Sequence, residues 1–203
     1  MDKNSDLLKI LDFFRVVIRL KETYRFTPKG ENVFENDAEH SWSVVMLCML
    51  IGKRVGEELK VEIDVEKMLK MAALHDIAEV ITGDTKTWDS NARVSKEERE
   101  RRAVTEMFQK LPNDLRDEFI ILWEECEARS TVEAKIVKSL DRVEPVLHRV
   151  LLNYGWGNFG KDDPEKTVAA LDERQLVRHE FSNILTQLYK EIRQEALDRK
   201  MLE

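Results

Sequence analysis

Apolar residues recur along most of the chain at spacings of three and four, the period of a helix with one buried face. Leu8, Leu11, Val16 and Leu20 make such a stripe after Ser5, a residue type that caps helices. A polar stretch at 24–36, with Pro28 and Gly30 as breakers, interrupts it. The period resumes over 37–59 through Val44, Val45, Leu47 and Leu50. Asp64 predicts the cap of a third helix, which carries Val65, Met68, Leu69, Ala72 and Ala73 and continues to Val80. A loop follows at 82–91.

Ser95 with Glu98, and Ser130 with Glu133, have the spacing of capping boxes and predict two further helix starts. Pro112 ends the first near residue 110, and Asn113 predicts the cap of a helix reaching 128. The second box opens a stripe of Ile136, Val137, Leu140, Val143 and Leu147. An irregular loop spans 153–160, and Asp163-Pro164 has the order of a cap with proline at the first helical position. A final amphipathic helix is expected over 173–199. No segment reads as a strand, so the fold class expected is all-α.

Composition narrows the function. With 203 residues, 42% of them hydrophobic and 36% charged, the chain can bury a full core without disulfides. No apolar run approaches the roughly 20 residues of a membrane-spanning helix, and the first residues lack the order of a secretory signal. A cytoplasmic protein with no membrane partner is expected. A formal charge of −7 argues against binding nucleic-acid polymers, which takes a basic face. It leaves room for a small anion held by local cations. Cys48 and Cys126 sit in apolar patterns and read as reduced core residues.

The chemistry lies in acids and histidines that interrupt apolar stripes. His75-Asp76 follows Met71-Ala72-Ala73-Leu74, where two ionisable groups are costly unless something pairs with them. Glu79 stands one turn on, His40 sits in the first turn of its helix, and Asp141 breaks the stripe of the 130s. Two histidines and two aspartates converging from three helices would make a nitrogen–oxygen site for a divalent transition metal, of the kind that takes Mn, Co, Fe, Ni or Zn. Mg is a further candidate. Such an ion polarises a phosphoryl oxygen and activates water, and Glu79 and Asp84 could orient that water or relay its proton.

The order His40, His75-Asp76, Asp141 resembles the HD superfamily of metal-dependent phosphohydrolases, named for its His-Asp pair. Glu39-His40-Ser41-Trp42, His75-Asp76-Ile77-Ala78-Glu79, Thr82-Gly83-Asp84-Thr85 and Leu140-Asp141-Arg142-Val143-Glu144 are similar to the branch containing bacterial 5′-deoxynucleotidases and their eukaryotic relatives. The resemblance implies a helical bundle around one metal, with a core at about 8–160 and a C-terminal helical extension at about 161–203 in a single domain. It also implies hydrolysis of nucleoside 5′-monophosphates, with His40, His75, Asp76 and Asp141 as metal ligands. Glu79 and Asp84 match the positions that handle protons. Arg25-Phe26 stands where the deoxynucleotidase has an arginine–tryptophan pair that grips phosphate and packs on sugar. A phosphodiesterase, a nucleoside triphosphate hydrolase and a non-catalytic nucleotide sensor remain open as alternatives.

Other residues carry plainer expectations. Lys86 and Trp88 follow Asp84 and are candidates to reach phosphate or base. Glu144, three past Asp141, is either a hydrogen-bond partner of a ligand or a solvated charge, and His148 reads mainly as structural. His179 reads as a surface residue, and the run 95–102 as a solvated charged face. Met46, Met49, Met68, Met71 and Trp123 read as core. The aromatic loop at 154–159 could cover the pocket or a partner. The stripe Leu176, Phe181, Ile184, Leu185, Leu188 and Ile192, if it exceeds what the core needs, would serve a homodimer.

Overall fold

In the computed structural model, which describes residues 3–84, 95–156 and 168–202, helices form where apolar residues recur with the helical period. Helix α1 (Lys3–Val17) runs into a 3₁₀ turn (Ile18–Glu22). A hairpin follows, β1 (Tyr24–Gly30) against β2 (Val33–Asn36). Then come α2 (Asp37–Leu59), α3 (Val65–Leu74), the short α4 (Glu79–Thr82), α5 (Lys96–Phe108) and α6 (Asn113–Ala128). The long α7 (Val132–Leu152), α8 (Val168–His179) and α9 (Asn183–Asp198) complete the described elements.

Helices α2, α3 and α7 pack against one another and build the main core. Val44, Cys48 and Val55 meet Met68, Met71 and Ala72 from α3 and Ile136, Val137 and Leu140 from α7, all at 0% exposure. Burying each large aliphatic side chain this fully stabilises the fold by about 1.5–3 kcal/mol. A second cluster joins Val143, Val146 and Val150 of α7 to Leu171 of α8 and to Tyr189 and Ile192 of α9. Both cysteines are buried and free, and Trp123 is buried. Gly56 lets α2 approach the chain leading into α3: a Cβ there would lie 2.9 Å from the Val61 carbonyl oxygen and 2.5 Å from Ile63 Cγ1. Among the described residues, no helix is long and apolar enough to cross a membrane.

Several local expectations are corrected. The segment 24–36 is an antiparallel hairpin, pairing Tyr24 with Asn36, Pro28 with Phe34 and Gly30 with Val33. Its buried residues, Thr27 and Glu35, are polar, so no apolar alternation announces it. The stretch from Val65 does not continue as one helix to Val80. It breaks at Leu74, where Ile77 N donates to Leu74 O and Glu79 N to Asp76 O, tight i→i+3 bonds. Phe13, Val16 and Val17 of α1 and Leu20 of the 3₁₀ turn face the core, whereas Leu8 and Leu11 are exposed. Ser5 lies inside that helix.

The caps also differ. Ser95 precedes α5 without capping it, Pro112 rather than Asn113 precedes α6, and Thr131 rather than Ser130 caps α7 by accepting from Ala134 N. Glu133 instead accepts from Asp64 N at 3.0 Å and ties α7 to α3. The expected single C-terminal helix is two. Glu58 of α2 accepts from Ser182 Oγ, Asn183 N and Ile184 N, and Ser182 in turn caps α9, so a distant carboxylate stabilises the break. The stripe from Leu176 to Ile192 is taken up by the two cores. His179 is not on the surface but fully buried, its Nε2 3.2 Å from Gln175 Oε1. Met49 is exposed rather than core, and Trp156 of the aromatic loop is buried in the second cluster.

Candidate metal centre

The site is built from the starts and interruptions of helices. Asn36 caps α2 by accepting from Glu39 N at 3.0 Å, while Glu39 Oε2 accepts from Asn36 N at 3.2 Å. This reciprocal cap fixes the first turn and turns His40 into the core, where it is 0% exposed. The tight turns after α3 turn His75 and Asp76 the same way. Asp141 faces them from the middle of α7.

His40, His75, Asp76 and Asp141 each offer one ligand atom, and these four atoms lie within 4.8 Å of one another. His40 Nε2 is 3.2 Å from Asp141 Oδ1 and 3.6 Å from Asp76 Oδ2. His75 Nε2 is 3.1 Å from Asp76 Oδ2 and 3.8 Å from Asp141 Oδ1. Both rings are held from behind. His40 Nδ1 lies 2.7 Å from Glu144 Oε2, and His75 Nδ1 donates to the Ala72 carbonyl oxygen at 2.8 Å. Fixing the outer nitrogen leaves Nε2 to present its lone pair inward, the arrangement a metal-ligating histidine uses. His75 Nε2 is buried and makes no hydrogen bond among the described residues. Two imidazoles and two carboxylates with an unsatisfied inward nitrogen fit a divalent cation.

Electrostatics agree with that fit. Burial alone would raise the pKa of Asp76, but the His75 imidazole and the Arg25 guanidinium hold it well below the carboxylate range. Asp141 is also held low against burial, by the hydrogen bond with His40. Against burial and the charge of Arg25, the carboxylates of Asp141 and Glu144 push His40 up to about 10. The acids thus draw positive charge into the cluster. Glu79 is 2% exposed and goes the other way: burial and the nearby Asp76 raise it well above its ordinary value, with Lys96 and Arg25 opposing.

The remaining expected residues sit around this cluster. Arg25 reaches from β1 and donates from Nη1 to Asp76 Oδ2 at 2.6 Å and to Asp37 at 3.4 Å. Phe26 is 41% exposed, and its backbone N–H donates to Asp84 Oδ2 at 3.2 Å, joining the hairpin to the end of α4. Lys86 and Trp88 lie outside the described residues. Glu144 is buried and touches His40, so it is not a solvated charge.

Three groups escape the sequence reading. Asp37 is fully buried, and one of its carboxylate oxygens lies within 4.8 Å of ligand atoms from Asp76 and Glu79. Glu35 lies 3.2 Å from His148 Nδ1 and 3.9 Å from Arg25 Nε. Both belong to the acid-rich run before His40, which reads as a helix cap. The third is Lys96, 3.2 Å from both Glu79 Oε1 and Glu100 Oε1. With Glu100 only 7% exposed, the run 95–102 is not wholly a solvated face.

Comparison with known proteins identifies this architecture. A family model described as HD domain matches residues 17–165, so the chain belongs to the HD domain family. The human 5′-deoxynucleotidase HDDC2 is 33% identical over 144 residues, which cover 68% of this chain and 65% of that protein, a little under two thirds of its length. A 5′-deoxynucleotidase of Citrobacter koseri is 31% identical over 172 residues, covering 80% of this chain and 85% of that one. A crystal structure described as a predicted metal-dependent phosphohydrolase, from Magnetospirillum magnetotacticum MS-1, superposes with a TM-score of 0.82 at 31% identity, covering 100% of this chain and 98% of the other.

Proposed function

We propose that this protein is a metal-dependent phosphohydrolase that removes phosphate from nucleoside 5′-monophosphates, in the manner of a 5′-deoxynucleotidase. The observation that carries the reading is the meeting of His40, His75, Asp76 and Asp141 around His75 Nε2, a buried nitrogen without a hydrogen-bond partner among the described residues. The names of the relatives from human and Citrobacter koseri supply the substrate class. Those four side chains would hold one divalent ion, with Mn, Co, Fe, Ni, Zn or Mg as candidates. When bound, the ion supplies charge neutralisation at phosphorus and a water of lowered pKa.

The protein's own groups do the rest. Glu144 and the Ala72 carbonyl hold the two imidazoles in the orientation that points Nε2 inward. Arg25 offers a planar pair of donors to the phosphate oxygens, and its bond to Asp76 puts that guanidinium at the rim of the cluster. Glu79 has one carboxylate oxygen, Oε2, with no hydrogen-bond partner among the described residues, to take the proton of the attacking water. Asp84, whose Oδ2 accepts from Phe26 N in the hairpin, would return a proton to the departing 5′-oxygen, and Phe26 would cover the sugar and disfavour a 2′-hydroxyl. Lys86 and Trp88 complete the proposed substrate contacts.

The substrate is a free nucleotide in the cytoplasm, not a polymer, and the chain acts as one HD-type unit. A homodimer belongs to the same reading, supported by the exposed Leu7, Leu8, Leu11 and Phe14 on α1, apolar surface that a second copy would cover. The test is a panel of mono-, tri- and cyclic nucleotides, assayed with Mn, Co and Mg. Release of inorganic phosphate from deoxynucleoside 5′-monophosphates is expected. Release of pyrophosphate, ring opening, or binding without product would contradict it.

A further inference from the structure

The charged run that opens α5 contains one pair turned toward the site. Most of its charges are solvated: Glu98 and Arg102 pair across a turn with side chains 77% and 76% exposed. Lys96 and Glu100 lie on another face. Lys96 Nζ stands 3.2 Å from Glu79 Oε1 and 3.2 Å from Glu100 Oε1, so two carboxylates from different helices share one ammonium. Helix α5 packs against α4, which carries Glu79, and this contact fixes the ammonium relative to the carboxylate.

Glu79 needs such a partner. It is 2% exposed and close to Asp37 and Asp76, whose oxygens lie within 4.8 Å of its own. A buried carboxylate among like charges takes up a proton unless a cation stands beside it, and a carboxylate held at one oxygen cannot rotate freely. Its two oxygens are unequal here. Oε1 faces Lys96, while Oε2 is buried and has no hydrogen-bond partner among the described residues.

We infer that Lys96 is a positioning residue for the hydrolytic step: it occupies Oε1 of Glu79 and thereby leaves Oε2 to face the reacting water. Glu100 acts one step further out, holding Lys96 in place from the same helix. The inference rests on the phosphohydrolase reading above. It adds that activity depends on a helix outside the motif-bearing segments.

The test compares the metal-loaded full chain with Lys96→Met, Lys96→Arg, Glu100→Gln and, as a solvated control, Arg102→Met. Lys96→Met is expected to lower kcat by about 10- to 100-fold, the range for losing a group that orients a metal-site residue. KM should stay within about twofold and the metal content should not change. Lys96→Arg should restore most of the rate, Glu100→Gln should fall between, and Arg102→Met should match the parent. Lys96→Arg and Glu100→Gln also keep the test intact if Lys96→Met fails to fold. A folded Lys96→Met protein with full kcat overturns the positioning role alone. So does a loss of kcat that Lys96→Arg does not restore. A parent protein that releases phosphate from no nucleotide overturns the function itself, and this role with it.

Discussion

His40 Nδ1 lies 2.7 Å from Glu144 Oε2, one α7 turn beyond the Asp141 that faces the other side of the same ring. A single helix therefore sets both the acid beside the imidazole's inner nitrogen and the acid that fixes its outer one. Glu144 is itself anchored by His148, 3.8 Å away, which pairs with Glu35 at 3.2 Å. Hydrogen bonds from His148 and His40 outweigh burial and hold the Glu144 carboxyl down at about 2. It is therefore ionised throughout the neutral range and holds a proton on His40 Nδ1, so the proton a bound cation displaces is the one on Nε2.

Removing that anchor should loosen the metal. Glu144→Ala is expected to weaken divalent-ion affinity by about 10- to 100-fold, with Glu144→Gln affected less because an amide oxygen still accepts from Nδ1. Titration calorimetry with Mn on the three proteins measures it. An unchanged Kd in Glu144→Ala would show that His40 needs no such support.

Glu79 should separate chemistry from binding. Glu79→Gln is expected to retain one metal ion per chain and to lose about 10²- to 10⁴-fold in kcat, the contribution of a general base. Steady-state kinetics with elemental analysis of the same sample checks both halves. Full turnover in the variant would remove Glu79 from the reaction.

The cluster of two histidines and two aspartates was legible because ionisable residues interrupt apolar stripes at His75-Asp76 and Asp141, and burying them needs a reason. The helices were legible from their periodicity. The hairpin was not, since its inward residues Thr27 and Glu35 are polar and local pattern cannot show what they meet. The break between α8 and α9 depends on Glu58, more than 120 positions upstream of the backbone it caps. His179 and Lys96 were missed for the same physical reason. Each sits in a polar run whose burial is decided by another helix.

His179 carries a pH signature. Burial lowers its pKa from 6.5 to about 4, so the folded protein resists protonating it. Between pH 6.5 and 4 the unfolded chain binds more protons at this position, and stability from this group falls as pH falls. The loss at pH 5 relative to neutral pH is about 2 kcal/mol. Urea unfolding of the parent and His179→Leu should show the parent's stability relative to the variant shrinking by that amount between pH 7 and 5. A pH-independent difference would mean that burial does not shift the ring's affinity for a proton.

Gly56 tests the packing of α2. Helix propensity alone predicts that alanine stabilises by about 1 kcal/mol. The Val61 carbonyl oxygen, 2.9 Å from where Cβ would sit, is backbone and cannot swing aside. Gly56→Ala should therefore destabilise by about 1–3 kcal/mol. Gly52→Ala should cost less, because there the obstacle is the flexible Met68 side chain. Thermal unfolding of the two variants gives the order.

Metal content decides whether two imidazoles and two carboxylates form one cation site. Parent and Asp141→Ala proteins are loaded with Mn, dialysed together and analysed for bound metal per chain. Close to one ion is expected in the parent and near none in the variant, with phosphate release lost in step. Equal metal in both proteins, or none in the parent, would contradict it.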